Sequence, residues 1–400
     1  MTKKDLYDVC IVGGLGHAGL PLGISLAQSG KQVVLYDINQ EAIDLLSLGK
    51  MPFMETGAED ALKDVLGKTL FVTSERQKIS DSYFVIVVIG TPVDEHLNPK
   101  FTEFMRFFSE IMEFLKDEQH IILRSTIIPG TTEKVKELLR SQGKQTKVSF
   151  CPERIAEGNA IEELRSLPQI VASFDGPSFR EAKELFLRLT DDVIFLEPLE
   201  AELAKLFTNV WRYIQFSISN QFYQIAAQSG LDFYKIYNAM TYNYPRTQGF
   251  HRAGFTAGPC LFKDTMQLAA FSNNTFFLGH AAMLINEGLP NFIARMLKEK
   301  YSLKDKVVGI LGMAFKGDSD DPRESLSYKL KKILEIDSKK VLCTDPFVKD
   351  DTLVSLDEVI TLSDILILGA QHSVYKQIEV DFSSKIVVDI WNFFGRGGSF

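Results

Sequence analysis

The sequence predicts an α/β protein in which two doubly wound domains are joined by a central helical domain. Short apolar runs alternate with amphipathic stretches over the first 150 residues, and the same alternation returns after residue 305. Such alternation is typical of parallel sheets covered by helices on both faces. From Glu200 to about Leu231, apolar side chains recur at spacings of three and four residues, which predicts one long central helix.

The elements follow in order along the chain. The first region holds predicted strands at 8–12, 33–37, 84–89, 121–123 and 148–150, with helices at 20–29 and 40–48. The last region holds predicted strands at 306–311, 340–344, 365–368 and 386–390. We therefore predict three domains, at residues 1–196, 197–300 and 301–400, with the long helix in the central one.

Composition excludes several classes of protein. The net charge of 44 − 52 = −8 argues against a nucleic-acid or anionic-membrane surface. The longest apolar runs are too short to span a bilayer, and the first residues contain no apolar signal segment. Four cysteines in 400 residues are too few for a disulfide scaffold. We expect a cytoplasmic protein with no nucleic-acid or membrane partner.

A glycine motif follows the first predicted strand and precedes a helix. A G-x-G-x-x-G pattern there suits a tight turn that brings backbone close to a pyrophosphate at a helix N-terminus. Asp37 ends the next strand, where an acid can bind ribose hydroxyls and repel a 2′-phosphate, which favours NAD over NADP. The alternative is a glycine turn without a ligand. The motif comprises Gly14, Leu15, Gly16, His17, Ala18 and Gly19.

One cysteine stands apart from the other three. Cys10, Cys151 and Cys343 lie in or beside apolar strands, where buried structural thiols are expected. Cys260 instead follows a glycine-rich segment and precedes Lys263 and an acid, so it is a candidate nucleophile. A buried structural thiol is the alternative there too.

Two further pairs have the spacing of one helical turn. Lys205 and Asn209 share a face of the long helix, where a desolvated lysine would suit proton transfer or oxyanion stabilisation. A lysine that extends to the surface is the alternative. Glu153 and Glu157 are also four residues apart, either as catalytic and cofactor-binding acids or as salt-bridge partners.

Seven segments together resemble the UDP-glucose/GDP-mannose dehydrogenase family of nucleotide-sugar 6-dehydrogenases, and they cover essentially the whole chain. Each is modest alone, but all seven in order are specific. They are GLGHAGLP from Gly14, GTP from Gly90, STxxPGTT from Ser125, PERIAEG from Pro152, EAELAKLFTN from Glu200, GPCLFKD from Gly258 and GMAFKxxxxDxRES from Gly312.

The resemblance implies a four-electron oxidation of a sugar CH2OH to a carboxylate with two NAD per turnover. Cys260 would form a thiohemiacetal and then a thioester, and Glu153 would act as acid/base in its hydrolysis. Lys205 and Asn209 would stabilise the oxyanion. Asp264, with a water near Thr126, would move protons.

The resemblance also implies the binding residues, a homodimer formed by the long helix, and a UDP-binding C-terminal domain. No metal is expected. The NAD contacts would be the glycine motif with Asp37, Thr91, Thr126, Glu157, Lys263 and Arg323. The substrate contacts would be Glu153, Arg154, Lys205, Asn209, Arg246, Phe255, Gly258, Phe315 and Lys316.

Departures from the family pattern concern the sugar pocket. Arg154, and Arg246 fourteen residues before Cys260, favour a UDP-N-acetylhexosamine such as UDP-ManNAc or UDP-GlcNAc, for surface polysaccharide precursors. The segments AEG at 156–158 and KD at 263–264 resemble UDP-glucose enzymes, which keeps UDP-glucose as the alternative. Ala257 to Pro259 replace the usual glycines before the cysteine, and Trp391 stands where the C-terminal D-x-R-N motif has arginine.

Two other classes compete. A β-hydroxyacid dehydrogenase shares the first domain and a K-x-x-x-N helix, but it needs neither a nucleophilic cysteine nor a second α/β domain. A non-catalytic nucleotide-sugar-binding protein on the same fold would not need Cys260, Lys205 and Glu153 together.

Overall fold

A computed structural model describes residues 6–94, 96, 98–255, 258–378, 384–395 and 397–398. Ala257, one of the departures noted above, lies outside them. The chain forms two compact units, Met1–Thr208 and Asn209–Phe400. Among the described residues, no helix is both long and apolar enough to cross a bilayer.

The first unit is built on an eight-stranded sheet in the order β3-β2-β1-β4-β5-β6-β7-β8. The strands are β1 (Tyr7–Val12), β2 (Val33–Tyr36), β3 (Leu70–Thr73), β4 (Ser82–Val87), β5 (His120–Leu123), β6 (Lys147–Phe150), β7 (Gln169–Ser173) and β8 (Val193–Leu196). The helices are α1 (Gly19–Gln28), α2 (Gln40–Ser47), α3 (Ala58–Val65), α4 (Phe101–Ile111), α5 (Thr131–Ser141), α6 (Ala160–Ser166) and α7 (Gly176–Phe186).

The predicted parallel arrangement is confirmed for β1 to β6. The sequence prediction did not include β3, β7 and β8, and β7 pairs with β6 in the antiparallel sense. The strand predicted at 84–89 lies two residues earlier, because pairing with β1 begins at Ser82. Buried apolar residues cover both faces of this sheet, which is the doubly wound arrangement predicted.

The long helix is α8 (Pro198–Gln228), which continues from the first unit into the second. The second unit adds helices and a four-stranded parallel sheet in the order β10-β9-β11-β12. Its elements are α9 (Phe233–Thr241), α10 (Leu261–Phe271), α11 (Phe277–Lys300), β9 (Val307–Leu311), α12 (Leu326–Asp337), β10 (Lys340–Thr344), α13 (Leu356–Leu362), β11 (Ile365–Leu368) and β12 (Ile386–Val388). All four strands predicted for this region are present.

Candidate active site

The turn after β1 leaves no room for side chains at two of its motif glycines. A methyl group on Gly14 would lie 2.8 Å from the carbonyl oxygen of Ile11, and one on Gly19 would lie 2.6 Å from that of Gly13. Beside Gly16 the nearest atom would be 3.8 Å away. The turn leads directly into α1, so bare backbone and a helix N-terminus together fit a pyrophosphate.

Asp37 follows β2 and binds the same turn. Its carboxylate accepts the N–H of Leu15 at 3.0 Å, that of Ile38 at 2.8 Å and that of Asn39 at 3.0 Å. A carboxylate has about four acceptor positions, so capacity for a ribose hydroxyl is left. The half-buried negative charge is unfavourable for a 2′-phosphate, in agreement with NAD as the cofactor.

The loops after β4 and β5 are tied together by two predicted site residues. The Thr91 hydroxyl donates to the Thr126 carbonyl at 2.5 Å, and the Ser125 hydroxyl donates to the Ile89 carbonyl at 2.7 Å. Both threonines therefore lie at the carboxyl edge of the parallel strands, where ligands bind in such sheets.

Glu153, after β6, is held by a buried arginine that the sequence analysis did not assign to the site. Nε and Nη2 of Arg124 lie 2.8 and 2.7 Å from Oε2 of Glu153. The other oxygen accepts the backbone N–H groups of the next two residues, at 2.8 and 3.2 Å. Arg124 itself is 1% exposed and also donates to the Cys151 carbonyl. Its signal in the sequence is a charge placed directly after three apolar strand residues, Ile121 to Leu123.

Glu157 and His17 come from distant parts of the chain and lie close together. The Nδ1 atom of His17 is 4.0 Å from Oε2 of Glu157, so two predicted NAD contacts share one place. Glu55 was not predicted. Its carboxylate accepts the N–H groups of Gly158 at 2.9 Å and Ala160 at 2.6 Å, which fixes the loop that carries Glu157.

Cys260 is exposed and is the residue immediately before α10. The N-terminus of a helix favours negative charge, which stabilises a thiolate there. The other three cysteines are buried, and burial raises the pKa of Cys151 and Cys343 to about 12. The prediction that these three thiols are buried is confirmed.

Asp264 lies one helical turn after Cys260 and is completely buried. The Asn209 amide donates to one of its oxygens at 2.5 Å, and the Lys263 ammonium lies 3.4 Å from the other. The backbone N–H of Asp264 donates to the Cys260 carbonyl at 2.9 Å. A buried carboxylate with a partner at each oxygen thus supports the first turn of the helix that carries the thiol.

Phe315 and Lys316 follow β9 and adjoin the cysteine loop. A methyl group on Gly258 would lie 2.8 Å from the Phe315 ring, and φ of Gly258 is +120°, so glycine is required on two grounds. The Lys316 ammonium is 5.6 Å from the centre of the Phe315 ring. Phe255 is 3% exposed and belongs to the core of the second unit.

The arginines predicted to bind ligands have different surroundings. Arg323 is paired with Asp321 at 2.6–2.9 Å, and Arg246 is exposed beside the Tyr244 hydroxyl at 3.3 Å. Arg154 donates to the Pro168 carbonyl, and burial lowers its pKa. Lys205 is half-buried on α8. The ligand contacts of all these residues stay predictions.

Asp345, after β10, is a further residue that the sequence analysis missed. Its carboxylate accepts five hydrogen bonds. They come from the N–H groups of Met313 (2.6 Å) and Ala314 (2.9 Å), Nε2 of His372 (2.9 Å) and two N–H groups of its own turn (2.8 and 2.9 Å). The Asp318 N–H donates to Nδ1 of His372, so the ring proton is on Nε2.

Three family models match the chain in order. They are the NAD binding domain of the UDP-glucose/GDP-mannose dehydrogenase family at residues 7–190, its central domain at 199–287 and its UDP binding domain at 309–396. The chain therefore belongs to the UDP-glucose/GDP-mannose dehydrogenase family. It is an NAD-dependent nucleotide-sugar dehydrogenase, as the sequence predicted.

The names of individual relatives specify different sugar substrates. The UDP-N-acetyl-D-mannosamine dehydrogenase of Pyrococcus horikoshii is 31% identical over 395 residues, covering 94% of this chain and 93% of that one. The structure of a UDP-D-ManNAc dehydrogenase from the same organism has a TM-score of 0.89 at 29% identity and covers 96% of each chain. That of a UDP-glucose dehydrogenase from Pyrobaculum islandicum has a TM-score of 0.88 at 23% identity, covers 97% of this chain and 95% of that one, and shows the fold alone.

Proposed function

We propose that the protein oxidises the C6 hydroxymethyl group of a UDP-N-acetylhexosamine to a carboxylate, to supply precursors of surface polysaccharide. The observation that carries this proposal is the exposed Cys260 thiol at the start of α10, one turn from the buried Asn209–Asp264 pair. Oxidation of an alcohol to a carbonyl needs no nucleophile. Oxidation of the resulting aldehyde to an acid in the same site needs a nucleophile that adds to the aldehyde carbon.

The thiol serves both halves of the second oxidation. The Cys260 sulfur forms a C–S bond to the C6 aldehyde, and oxidation of the thiohemiacetal gives a thioester. Water then breaks the C–S bond, which releases the carboxylate and restores the thiol. The glycine turn and Asp37 would hold NAD, which would supply a hydride acceptor for each of the two oxidations at C6. Four electrons leave the sugar and one water is consumed.

The remaining catalytic residues act on charge and protons. Lys205 and Asn209 stabilise the negative charge that develops on the C6 oxygen. Asp264 and a water held near Thr126 take up and return protons. Glu153 acts as acid/base for the water that hydrolyses the thioester. The buried Arg124 orients the Glu153 carboxylate for this role.

The ligand sites and the three-domain division at 1–196, 197–300 and 301–400 are part of the proposal. The NAD-binding set combines the glycine turn with side chains from several loops: Asp37, Thr91, Thr126, Glu157, Lys263 and Arg323. The sugar nucleotide is bound by Glu153, Arg154, Lys205, Asn209, Arg246, Phe255, Gly258, Phe315 and Lys316.

A homodimer through α8 is also proposed. Trp211, Ile218, Phe222 and Ile225 are 40–60% exposed, and their spacing of seven, four and three residues places them on one face of the helix. Large exposed apolar side chains in one stripe mark an interaction surface. Replacing Trp211 with glutamate should yield monomers in sedimentation analysis. An unchanged molar mass would contradict this interface.

The choice of sugar is supported by the relative with 31% identity over nearly the whole chain, whose name specifies UDP-N-acetyl-D-mannosamine. The test measures NADH and acid with UDP-ManNAc, UDP-GlcNAc, UDP-glucose and GDP-mannose. We expect two NADH per acid and fastest turnover of UDP-ManNAc. A preference for UDP-glucose would select the alternative substrate.

The cysteine step is tested by Cys260→Ala, with Cys343→Ala as a control that also removes one thiol. The first variant should form no acid, whereas the second should retain the activity of the folded protein. One NADH per turnover with release of a carbonyl product would refute the four-electron reaction. No turnover of any of the four substrates would favour a binding protein.

A further inference from the structure

Gly254, six residues before Cys260, packs closely on the Trp391 ring. A methyl group on Gly254 would lie 2.2–2.4 Å from three carbons of the Trp391 indole. The Gly254 backbone therefore lies directly against the face of this ring. Four residues later, Gly258 has the corresponding contact with Phe315. The cysteine follows Gly258 by two residues.

Buried hydrogen bonds hold the same segment from its other side. The Gly254 N–H donates to Oδ1 of Asn220 at 2.9 Å, and Nδ2 of Asn220 donates to Oδ1 of Asn286 at 2.9 Å. Both asparagine side chains are fully buried. Gly254 thus lies between a fixed amide on α8 and the Trp391 ring.

The ring itself is held in place. The Tyr234 hydroxyl donates to the carbonyl of Ile390, the residue before Trp391, at 2.6 Å. Trp391 is 8% exposed and belongs to the core of the second unit. A large ring held in a core has few alternative rotamers, so it can fix the position of the backbone that packs on it.

Trp391 and Phe315 stand at the same edge of the four-stranded sheet. Phe315 follows β9 and Trp391 follows β12, and these two strands flank β11. The carboxyl edge of a parallel sheet is where ligands bind. The rings that contact the cysteine segment therefore stand at the edge where the sugar nucleotide is proposed to bind.

We infer that Trp391 is a positioning residue for the Cys260 thiol, because its ring packs directly on Gly254, six residues before the nucleophile. This inference rests on the proposed function for its catalytic consequence. Misplacement of a reacting group by about 1 Å costs about a hundredfold in rate. Loss of the ring therefore lowers kcat and leaves the KM for NAD unchanged, since the glycine turn after β1 is not altered.

Three variants and a control test the inference. Trp391→Leu removes the ring, and Trp391→Phe keeps a flat ring. Trp391→Met keeps a large side chain without a flat face, and it replaces the leucine variant in the assays if that variant does not fold. Leu330→Ala opens space in the same core, where Leu330 is fully buried, and is the control for lost stability. Each full-length protein is assayed for kcat, for the KM for NAD, and for the rate of Cys260 alkylation by iodoacetamide as a function of pH.

We expect Trp391→Leu or Trp391→Met to lower kcat by about ten- to a hundredfold with an unchanged KM for NAD. The alkylation profile of Cys260 should shift, while Trp391→Phe stays within about threefold of the wild type. A kcat loss no larger than that of Leu330→Ala, or an unchanged alkylation profile, would overturn the inference. Alkylation needs no turnover, so it still decides the role of Trp391 if no sugar nucleotide is oxidised and the proposed function fails.

Discussion

Replacing Asp345 with asparagine should destabilise the C-terminal part of the protein by about 3 kcal/mol at neutral pH. The five donors around the carboxylate leave no place for an amide NH2 group. Whichever way the new amide turns, at least two N–H donors face another donor. Each unsatisfied buried donor costs about 1–3 kcal/mol.

The pKa of Asp345 gives a second measure of the same interaction. Burial alone would raise this pKa, yet hydrogen bonds from His372 and from the N–H groups of Val348 and Phe347 lower it from 3.8 to about 2. A difference of this size corresponds to about 2.5 kcal/mol. Because the pKa is lower in the folded state, this stability is fully present above about pH 4 and is lost as the pH falls towards 2.

The assay uses the two tryptophans of the chain. In a Trp211→Phe background, the fluorescence of Trp391 reports urea unfolding of the part of the protein that contains Asp345. The difference in unfolding free energy between Asp345 and Asp345→Asn proteins is measured at pH 7, 5, 4 and 3. Asp351→Asn, which removes an exposed charge in the same lobe, is the control.

The difference should be about 3 kcal/mol at pH 7 and should narrow between pH 4 and 3, since only the carboxylate titrates. A loss below about 0.5 kcal/mol at pH 7 would refute the five-donor geometry. A difference that stays constant down to pH 3 would refute the lowered pKa as the source of the stability.

Variants at three further positions test other parts of the molecule. Gly19→Ala should raise the KM for NAD at least about tenfold, because the methyl group meets the Gly13 carbonyl; an unchanged KM would contradict the turn geometry. Asn209→Ala should lower kcat by about ten- to a hundredfold, since Asp264 loses a charged hydrogen bond of about 1.5–3 kcal/mol, and Asn209→Asp should not rescue it. Burial lowers the pKa of His120 to about 4, so protonation of the unfolded chain should cost about 3 kcal/mol of stability between pH 6.5 and 4. His120→Gln should flatten this pH dependence in urea unfolding, and an equal slope would argue against the shift.

Local pattern was sufficient for much of the fold. The strands β10 and β11 are short apolar runs with sharp ends, and their predicted bounds agree with the structure. The edge strand β8 was missed although Val193 to Leu196 form an apolar run like that of β11. Its position at the sheet edge, where Ile194 and Phe195 are 41% and 49% exposed, is visible only in the structure. The direction of β7 was also unpredictable, since antiparallel pairing depends on how the chain returns and not on the composition of the strand.

The residues of the candidate site also divide into those that the sequence could identify and those that it could not. Cys260, Asp264 and Asn209 could be selected because their residue types and spacing carry the chemistry. Arg124 could not be assigned to Glu153 in the same manner, because the two are 29 residues apart and meet only when β5 and β6 pair. Asp345 resembles an ordinary turn residue in sequence, and its five donors come from three separate segments of the chain.

The bond between Asp37 and the Leu15 N–H has a consequence for changing the coenzyme. Engineering a dehydrogenase to accept NADP usually begins by removing this acid, so that a 2′-phosphate can enter. Here the same substitution also removes the acceptor that fixes the glycine turn. Asp37→Ser alone should therefore lose affinity for both coenzymes, and a useful exchange requires a second acceptor for the Leu15 N–H.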